Sequence, residues 1–291
     1  MEHIKHIQAH KGFPFHFAGR ATAEVEDYLR EHNCLRLLSY VNERRDIEKR
    51  SLAGHITFVD SGAFSATNRK LSIDVDQYIN WLNEWSQHFS MFCCWDTIPV
   101  GDMDPEESAK KTWDNYCYMK ERLNEPQKLI YCYHYGEDIK WLEQAIREGV
   151  KMIALGGIAK RGKNQRREFL TKVRPILEAN PDVFVHAFGM TSWEILKEYD
   201  YINSADSTSW ICTTKYGQIN TDLGLVYVGE DRTRKNHYED LTKEQKEIVK
   251  AGLAEVGLTD ETFNTSTNRL LWQAHHWRKR MLSFKYDKEN E

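Results

Sequence analysis

Residues 129–157 read LIYCYHYGEDIKWLEQAIREGVKMIALGG, and this stretch decides the fold. Two short runs of apolar, β-branched and aromatic residues, Leu129–His134 and Met152–Leu155, have the length of buried strands. Between them, Ile139–Ile146 has apolar residues at helical spacing. A strand, a helix and a second strand in this order predict a βα repeat on a parallel sheet.

The same alternation continues in both directions along the chain. Further strands are predicted at Leu35–Tyr40, Ile56–Asp60, Phe89–Trp95, Val183–Phe188 and Tyr201–Ala205, with Leu225–Val228 as a weaker eighth. Further helices are predicted at Val75–Trp85, Glu106–Leu123 and Phe169–Leu177. The sequence has no Rossmann glycine fingerprint, and near-eightfold repetition over this length favours a closed barrel over an open sheet. We therefore predict an α/β fold, a (β/α)8 barrel of the TIM type.

After about residue 240 the repeating pattern gives way to helices alone. We predict a catalytic barrel over residues 1–240 and a C-terminal helical extension over 241–291, packed on the barrel. The last helix should bury one apolar face and leave its basic edge in water. That face carries Leu270, Leu271, Ala274, Trp277 and Met281.

The amino-acid composition limits the classes of protein to which this chain can belong. The 291 residues are 41% hydrophobic and 29% charged, which is typical of a soluble globular chain. No apolar run approaches the roughly 18 to 20 residues of a membrane span, and the charged N-terminal stretch lacks the apolar core of a signal peptide. The six cysteines include no CxxC pair, so neither a disulfide framework nor a structural zinc site is indicated. We expect a cytoplasmic protein without membrane contact.

The net charge of −4 gives no general attraction to nucleic acid, so such binding must come from local clusters. Three basic clusters stand out, at residues 160–167, 232–237 and 275–280. Each of them alone is more often a solvated surface than a binding site.

Three predicted strand ends carry aspartates, Asp60, Asp96 and Asp206. Functional groups of such barrels lie where strands end and the following loops begin, so these carboxylates should meet at one rim. Glycines at the same rim, such as Gly156 and Gly157, would let a flat ligand approach the backbone. Carboxylates accept from the N–H groups of a guanine edge, and backbone amides can donate to its carbonyl oxygen. A single aspartate of this kind often caps a helix, but three together predict a purine-sized pocket.

Six segments, in the same order, resemble those of the tRNA-guanine transglycosylase superfamily. They are Asp60–Phe64 (DSGAF), Met91–Pro99 (MFCCWDTIP), Tyr133–Gly136 (YHYG), Ile153–Ala159 (IALGGIA), Phe188–Met190 (FGM) and Ile202–Thr208 (INSADST). In that family the corresponding segments are DSGGFQ, the strand ending in the base-recognising aspartate, V-Q-G-G, A-[IL]-G-G-L-A, a strand with a glycine-rich turn, and the strand of the nucleophilic aspartate. The resemblance covers roughly residues 56–210.

The resemblance implies a pentosyltransferase that exchanges a base at C1′ by double displacement. Asp206 would be the nucleophile that forms the covalent glycosyl intermediate, and Asp60 the acid/base, helped by a raised pKa. The implied base-binding residues are Ser61, Gly62, Phe64, Asp96, His134, Gly156, Gly157 and Met190. Neither a cofactor nor a metal ion is implied.

Departures from the family pattern bear on the substrate. Ala63 replaces a glycine, Ser65 stands where a glutamine is usual, and His134 takes the place of the pocket glutamine, which leaves the preferred base open. The zinc-binding cysteines that follow the nucleophile in the tRNA enzymes are missing, because Cys212 is the last cysteine. This zinc-less form most resembles the DNA-acting branch of bacteria and phages, which inserts 7-deazaguanine derivatives. A phage enzyme would work in the host cytoplasm.

The expected partners are therefore DNA and a free 7-deazaguanine base. The target nucleotide must be flipped out of a duplex at a cost of a few kcal/mol, and an accessory protein that opens the duplex stays an open question. The basic cluster that follows Gly157 should contact the nucleic-acid backbone. Its residues are Lys160, Arg161, Lys163, Arg166 and Arg167.

Three alternatives remain open from the sequence. The same exchange could occur in tRNA, since the base pocket would be shared. The barrel could be an inactive nucleic-acid-binding subunit, although it retains Asp60 and Asp206. In an unrelated barrel hydrolase the aspartates would bind a divalent metal, but no His-x-His or His-x-x-x-His pair accompanies them at the strand ends.

Overall fold

Eight parallel strands close into a barrel in the computed structural model, which describes residues 1–51, 57–69, 71, 73–99, 103–231 and 233–287. The strands are β1 Phe15–Ala18, β2 Leu35–Ser39, β3 Phe58–Asp60, β4 Met91–Cys93, β5 Leu129–His134, β6 Met152–Gly156, β7 Phe184–Ala187 and β8 Ser204–Ser207. They follow one another round the barrel in sequence order, and β1 pairs with β8 to close it. The predicted (β/α)8 fold of the TIM type is confirmed.

Helices separate the strands and continue after the barrel. They are α1 Lys5–Gln8, α2 Ala23–Glu31, α3 Tyr40–Ser51, α4 Ala63–Asn68, α5 Val75–Trp85, α6 Pro105–Arg122, α7 Ile139–Arg147, α8 Lys163–Glu178, α9 Trp193–Leu196, α10 Ser209–Lys215, α11 Lys243–Ala254 and α12 Ser266–Leu282. In α7 the Asp138 side chain accepts from the backbone N–H of Lys140 and so caps the first turn. Trp141, Leu142 and Ala145 form its buried face. No helix in the described ranges is long and apolar enough to cross a membrane.

The eighth strand predicted from the sequence is wrong. Leu225–Val228 overlaps β10 Gly224–Tyr227, which pairs antiparallel with β9 Gln218–Thr221 in a separate two-stranded sheet. The barrel is completed instead by β1, which the sequence reasoning missed because its four residues, FHFA, include a polar histidine. Helix α8 also begins earlier than predicted, at Lys163, and Ile56 lies outside the described residues.

The barrel core is filled by side chains from alternate positions of the strands. Parallel strands that are covered on both faces bury nearly every residue, and all six residues of β5 are buried. Inside the barrel the rings of His16, Phe58 and His186 lie against each other, with centroids 4.8 to 5.7 Å apart. This closed interior supports the carboxyl ends of the strands above it.

The chain divides into two compact units. One consists of Met1–Ala18, Leu35–Ser207 and Phe284–Glu291, and contains all eight barrel strands. The other consists of Gly19–Cys34 and Thr208–Ser283. The boundary predicted at residue 240 and the packing of the extension on the barrel stay predictions.

The second unit has a hydrophobic core of its own. Its buried residues are Ile219, Val226, Val228, Tyr238, Val249, Leu253, Leu258, Phe263 and Trp272. The indole N–H of Trp272 donates to the backbone oxygen of Asn220 at 2.7 Å, which ties α12 to β9. Most of the predicted apolar face of α12 is buried, and Leu271 is half-buried.

Candidate active site at the carboxyl end of the barrel

The three aspartates lie at or just beyond the carboxyl ends of three barrel strands. Asp60 is the last residue of β3, Asp206 lies in the second half of β8, and Asp96 follows β4 in the next loop. Asp96 and Asp206 are buried, and the negative charges of both act on Asp60. The structure thus brings together the carboxylates that the strand-end pattern singled out.

Asp60 has the most perturbed carboxyl group of the three. Burial raises its pKa to about 8, with further contributions from the charges of Asp96 and Asp206. The backbone N–H of Gly62 donates to Asp60 Oδ2 at 3.1 Å and opposes this rise. Asp60 is therefore mainly protonated at neutral pH and can donate a proton.

Asp206 is held through one oxygen. Its Oδ1 accepts from the backbone N–H of Gly189 at 2.8 Å and lies 3.3 Å from Nε2 of His186. His186 is fully buried, and its Nδ1 lies 2.7 Å from Oγ of Ser204. Within the described residues Oδ2 has no hydrogen-bond partner, so it is the oxygen available for attack.

The turn that contains Gly189 has a specific geometric requirement. Gly189 has φ +61°, and a Cβ atom there would lie 2.7 Å from Cβ of Ala159. A side chain would strain the backbone and collide with the neighbouring loop. Glycine at this position therefore keeps the N–H group aimed at Asp206.

Asp96 belongs to a buried chain of polar side chains. Ser61 Oγ donates to Asp96 Oδ1 at 2.8 Å, and His134 Nε2 lies 3.0 Å from Asp96 Oδ2. Glu137 accepts from the other side of His134, at the backbone N–H (2.9 Å) and at Nδ1 (3.0 Å). Burial alone would lower the pKa of His134, but the hydrogen bonds and charges of Asp96 and Glu137 outweigh it and raise the pKa to about 10.

The remaining predicted pocket residues lie around these groups. The ring of His134 packs on Gly156, where a Cβ atom would lie 2.5 Å from His134 Cδ2, and Gly157 follows at the strand end. Met190 is fully buried next to the Gly189 turn. Phe64, at the start of α4, is 45% exposed and carries the Lys160 ammonium 4.9 Å above its ring. The absence of a side chain at Gly156 therefore makes room for the His134 ring.

No protein-family model matches this chain, and no curated protein is significantly similar to it. The resemblance to the transglycosylase superfamily stays a prediction based on the six segments. Within the described ranges, no group of three or more His, Cys, Asp or Glu side chains is arranged to hold a metal ion.

Three of the five basic residues predicted to contact nucleic acid are engaged within the protein. Arg166 donates to the backbone oxygens of Ile158 and Ala159, and burial lowers its pKa. Arg167 forms a bidentate pair with Glu198 and a further bond to Glu194, which also pairs with Lys163 at 2.6 Å.

Lys160 and Arg161 are exposed cations of this cluster that lie over aromatic rings. The Arg161 guanidinium lies 4.5 Å above the ring of Tyr135, as Lys160 lies above Phe64. Both are placed at the rim by aromatic rings.

The other two basic clusters lie in the second unit. Arg232 is outside the described residues, and His237 is buried with Nε2 2.9 Å from the backbone oxygen of Gly229. His275 and His276 are buried in α12. Each of these two clusters therefore has its described histidines buried.

Sequence reasoning missed Glu137, His186 and Ser204. A weak signal was available for two of them, because in a strand every second residue faces the same side. Ser204 lies two residues before Asp206, and His186 two residues before Phe188, so each faces the barrel interior with its neighbour. Glu137 follows β5 in a turn, and no periodicity points to it.

Proposed function

We propose that this protein is a transglycosylase that exchanges guanine for a 7-deazaguanine derivative in DNA, through a covalent glycosyl intermediate on Asp206. The observation that carries the proposal is the contrast between two carboxyl groups at one rim. Asp60 has a pKa of about 8, whereas Asp206 accepts the Gly189 N–H and keeps one oxygen without a partner. Two carboxyl groups with such different surroundings suit the separate roles of acid and nucleophile.

In the first displacement, Oδ2 of Asp206 attacks C1′ of the target nucleotide. The glycosidic C–N bond breaks, and its electron pair stays on the departing guanine. The Asp60 carboxylic acid donates its proton to that base nitrogen, so the guanine leaves as a neutral molecule.

The second displacement runs in reverse with another base. The ring nitrogen of a 7-deazaguanine attacks C1′ as its N–H proton passes to the Asp60 carboxylate. The C–O bond to Asp206 breaks and the carboxylate is restored. Because one glycosidic bond replaces another, the chemistry consumes no cofactor, and the two inversions restore the configuration at C1′.

Base recognition in this proposal falls to Asp96, His134 and the Gly156–Gly157 backbone. An ionised carboxylate accepts about four hydrogen bonds, and Ser61 and His134 supply two of those to Asp96. Capacity therefore remains for the N1–H and amino group of a guanine edge. The exposed Lys160 and Arg161 would contact the polymer backbone beside the pocket.

The test is retention of a labelled base in each polymer. The purified protein is incubated with labelled 7-deazaguanine and with single-stranded DNA, duplex DNA or tRNA that contains guanine. We expect label in DNA, and none with the Asp206→Asn variant, which keeps the size of the side chain but removes the carboxylate. Label in tRNA alone would contradict the choice of DNA, and equal labelling by Asp206→Asn would contradict the mechanism.

A further inference from the structure

A buried histidine and a buried serine lie behind the candidate nucleophile. Nε2 of His186 is 3.3 Å from Asp206 Oδ1, and Nδ1 on the other side of the ring is 2.7 Å from Ser204 Oγ. His186 and Ser204 are both fully buried. Buried polar groups are costly unless they are hydrogen-bonded, so this arrangement is specified by the fold. No step of the proposed exchange uses either residue.

The two partners of His186 favour one form of its ring. A neutral imidazole has one N–H group and one lone pair. With its proton on Nδ1, the Nε2 lone pair would face the Asp206 carboxylate. With its proton on Nε2, His186 donates to Asp206, and Nδ1 accepts from the Ser204 hydroxyl. The second form satisfies both contacts, so Ser204 sets the tautomer that points an N–H group at Asp206.

Two donors therefore converge on one carboxylate oxygen, since Asp206 Oδ1 also accepts from the backbone N–H of Gly189 at 2.8 Å. Attack through Oδ2 would make Oδ1 the carbonyl oxygen of a glycosyl ester. A neutral ester oxygen accepts a weaker hydrogen bond than an ionised carboxylate does. The donors thus stabilise the free carboxylate more than the ester, which makes Asp206 a better leaving group.

We propose that His186, with its tautomer set by Ser204, is a positioning residue that favours release of Asp206 from the glycosyl intermediate. The release role rests on the function proposed above, whereas the tautomer does not. During release the bond from C1′ to Oδ2 breaks, and its electron pair returns to the carboxylate. The incoming base nitrogen bonds to C1′ and gives its proton to Asp60. His186 keeps its own proton throughout.

His16 offers a matched control in the same part of the barrel. It is fully buried, its ring centroid lies 5.5 Å from that of His186, and neither of its nitrogens contacts a carboxylate in the described residues. Burial and the neighbouring His186 lower the pKa of His16 well below its ordinary value, so its ring is neutral. His16→Phe and His186→Phe each replace a buried ring by a ring, but only His186→Phe removes a donor to Asp206.

Nitrogen-15 NMR of the histidine rings tests the tautomer in the wild type. The signal that disappears in His186→Phe belongs to His186. We expect a proton on Nε2 and none on Nδ1. A proton on Nδ1 overturns the role of Ser204.

The amount of covalent adduct tests the release role. Excess protein is mixed with the nucleic acid that retains label in the exchange assay and with a fixed concentration of free guanine, without 7-deazaguanine, and a denaturing gel separates adduct from free polymer. The ratio of adduct to free polymer should be roughly tenfold higher in His186→Phe than in the wild type, because the ester loses less than the carboxylate when the donor is removed. Added 7-deazaguanine should then release the polymer more slowly.

Two further variants show whether the donor itself is responsible. His16→Phe should form as much adduct as the wild type. His186→Gln, whose amide can donate in place of the ring N–H, should lie closer to the wild type than His186→Phe does. A variant that is merely misfolded would form less adduct and not more.

The outcomes separate this proposal from the exchange function. An adduct level in His186→Phe no higher than in the wild type, or an equal rise in His16→Phe, overturns the release role while the exchange function stands. If no polymer retains label and no adduct forms, the exchange function and the release role both fail, and the NMR result alone decides the tautomer.

Discussion

The buried carboxyl group of Asp60 makes the stability of the protein depend on pH. Its folded-state pKa of about 8 lies above the ordinary value, so the folded protein holds a proton that the unfolded chain releases, and stability falls as pH rises from about 4 to about 8. Asparagine resembles the protonated acid but cannot ionise. We expect Asp60→Asn to slow exchange by roughly 10²-fold to 10⁴-fold and to raise the melting temperature by an amount that grows over this pH range.

Thermal unfolding of both proteins at pH 5, 7 and 9, beside the labelled-base assay, checks this prediction. A variant less stable than the wild type at pH 9 would contradict this prediction. It would mean that burial and the neighbouring charges do not keep a proton on Asp60. The Asp206→Asn protein serves as the comparison, since it also loses a carboxylate at the same rim.

The same carboxyl group predicts the pH dependence of the first displacement. In the proposed mechanism the departure of guanine needs Asp60 in its acid form, so the single-turnover rate of guanine release should be level at neutral pH and decline above about pH 8. Rapid mixing of the protein with DNA across pH 6 to 10 gives this profile. A rate that rises through pH 8 would assign the proton donation to another group.

The segment from β6 to α8 carries cations at the rim that differ in their surroundings. Lys160 and Arg161 are exposed over aromatic rings, whereas Arg166 and Arg167 bind protein oxygens. Alanine at both Lys160 and Arg161 should weaken DNA binding and reduce the slope of log K against log salt by about 2, since each lost phosphate contact contributes about 0.9.

Lys151→Ala is the control for this measurement. Lys151 precedes the same strand at its amino end and pairs with Asp182, so its loss should leave the salt slope unchanged. Fluorescence anisotropy with labelled DNA over a range of salt concentrations measures both slopes. A change in Lys151→Ala half as large as that in the double variant, one charge against two, would show that general charge, and not the rim, attracts the polymer.

The strands show which parts of the fold can be predicted from the sequence alone. Long apolar runs such as β5 and β6 were predictable because both faces of a parallel strand are buried. β1 was not, because His16 interrupts a four-residue run, and the ring of His16 packs against Phe58 and His186 from other strands. The hairpin strand β10 has the same local pattern as a barrel strand, so only tertiary pairing excludes it from the barrel.

The candidate site likewise has features that the sequence predicts and features that it does not. Asp60, Asp96 and Asp206 follow recognisable strands and could be read from the sequence. The hydrogen bonds between His134 and Glu137 and between His186 and Ser204 join residues whose side chains meet only after folding. Likewise, the basic cluster gave no sign that Glu194 and Glu198 pair with two of its five cations, Lys163 and Arg167.

At the scale of the whole molecule, the two compact units predict separable unfolding. Leu253 is fully buried in the core of the second unit, and Leu253→Ala should destabilise that unit by about 2 to 5 kcal/mol. Hydrogen exchange followed by mass spectrometry should then show faster exchange in α11 and α12 than in β5 and β6.

Leu155→Ala supplies the reciprocal case, because Leu155 is equally buried but belongs to the barrel strand β6. It should accelerate exchange in the barrel first. Identical exchange changes throughout the chain in both variants would show that the units unfold as one.

The pairing of β1 with β8 determines when the barrel can close during synthesis on the ribosome. Asp206 is the register partner of His16, so the strand with the candidate nucleophile is also the one that covers the open edge of β1. A nascent chain that has released β1 to β7 still carries an unpaired edge, which invites association with other chains. Emergence of β8 pairs that edge and delivers Asp206 in the same event, so under the proposed mechanism a chain without β8 cannot form the glycosyl intermediate.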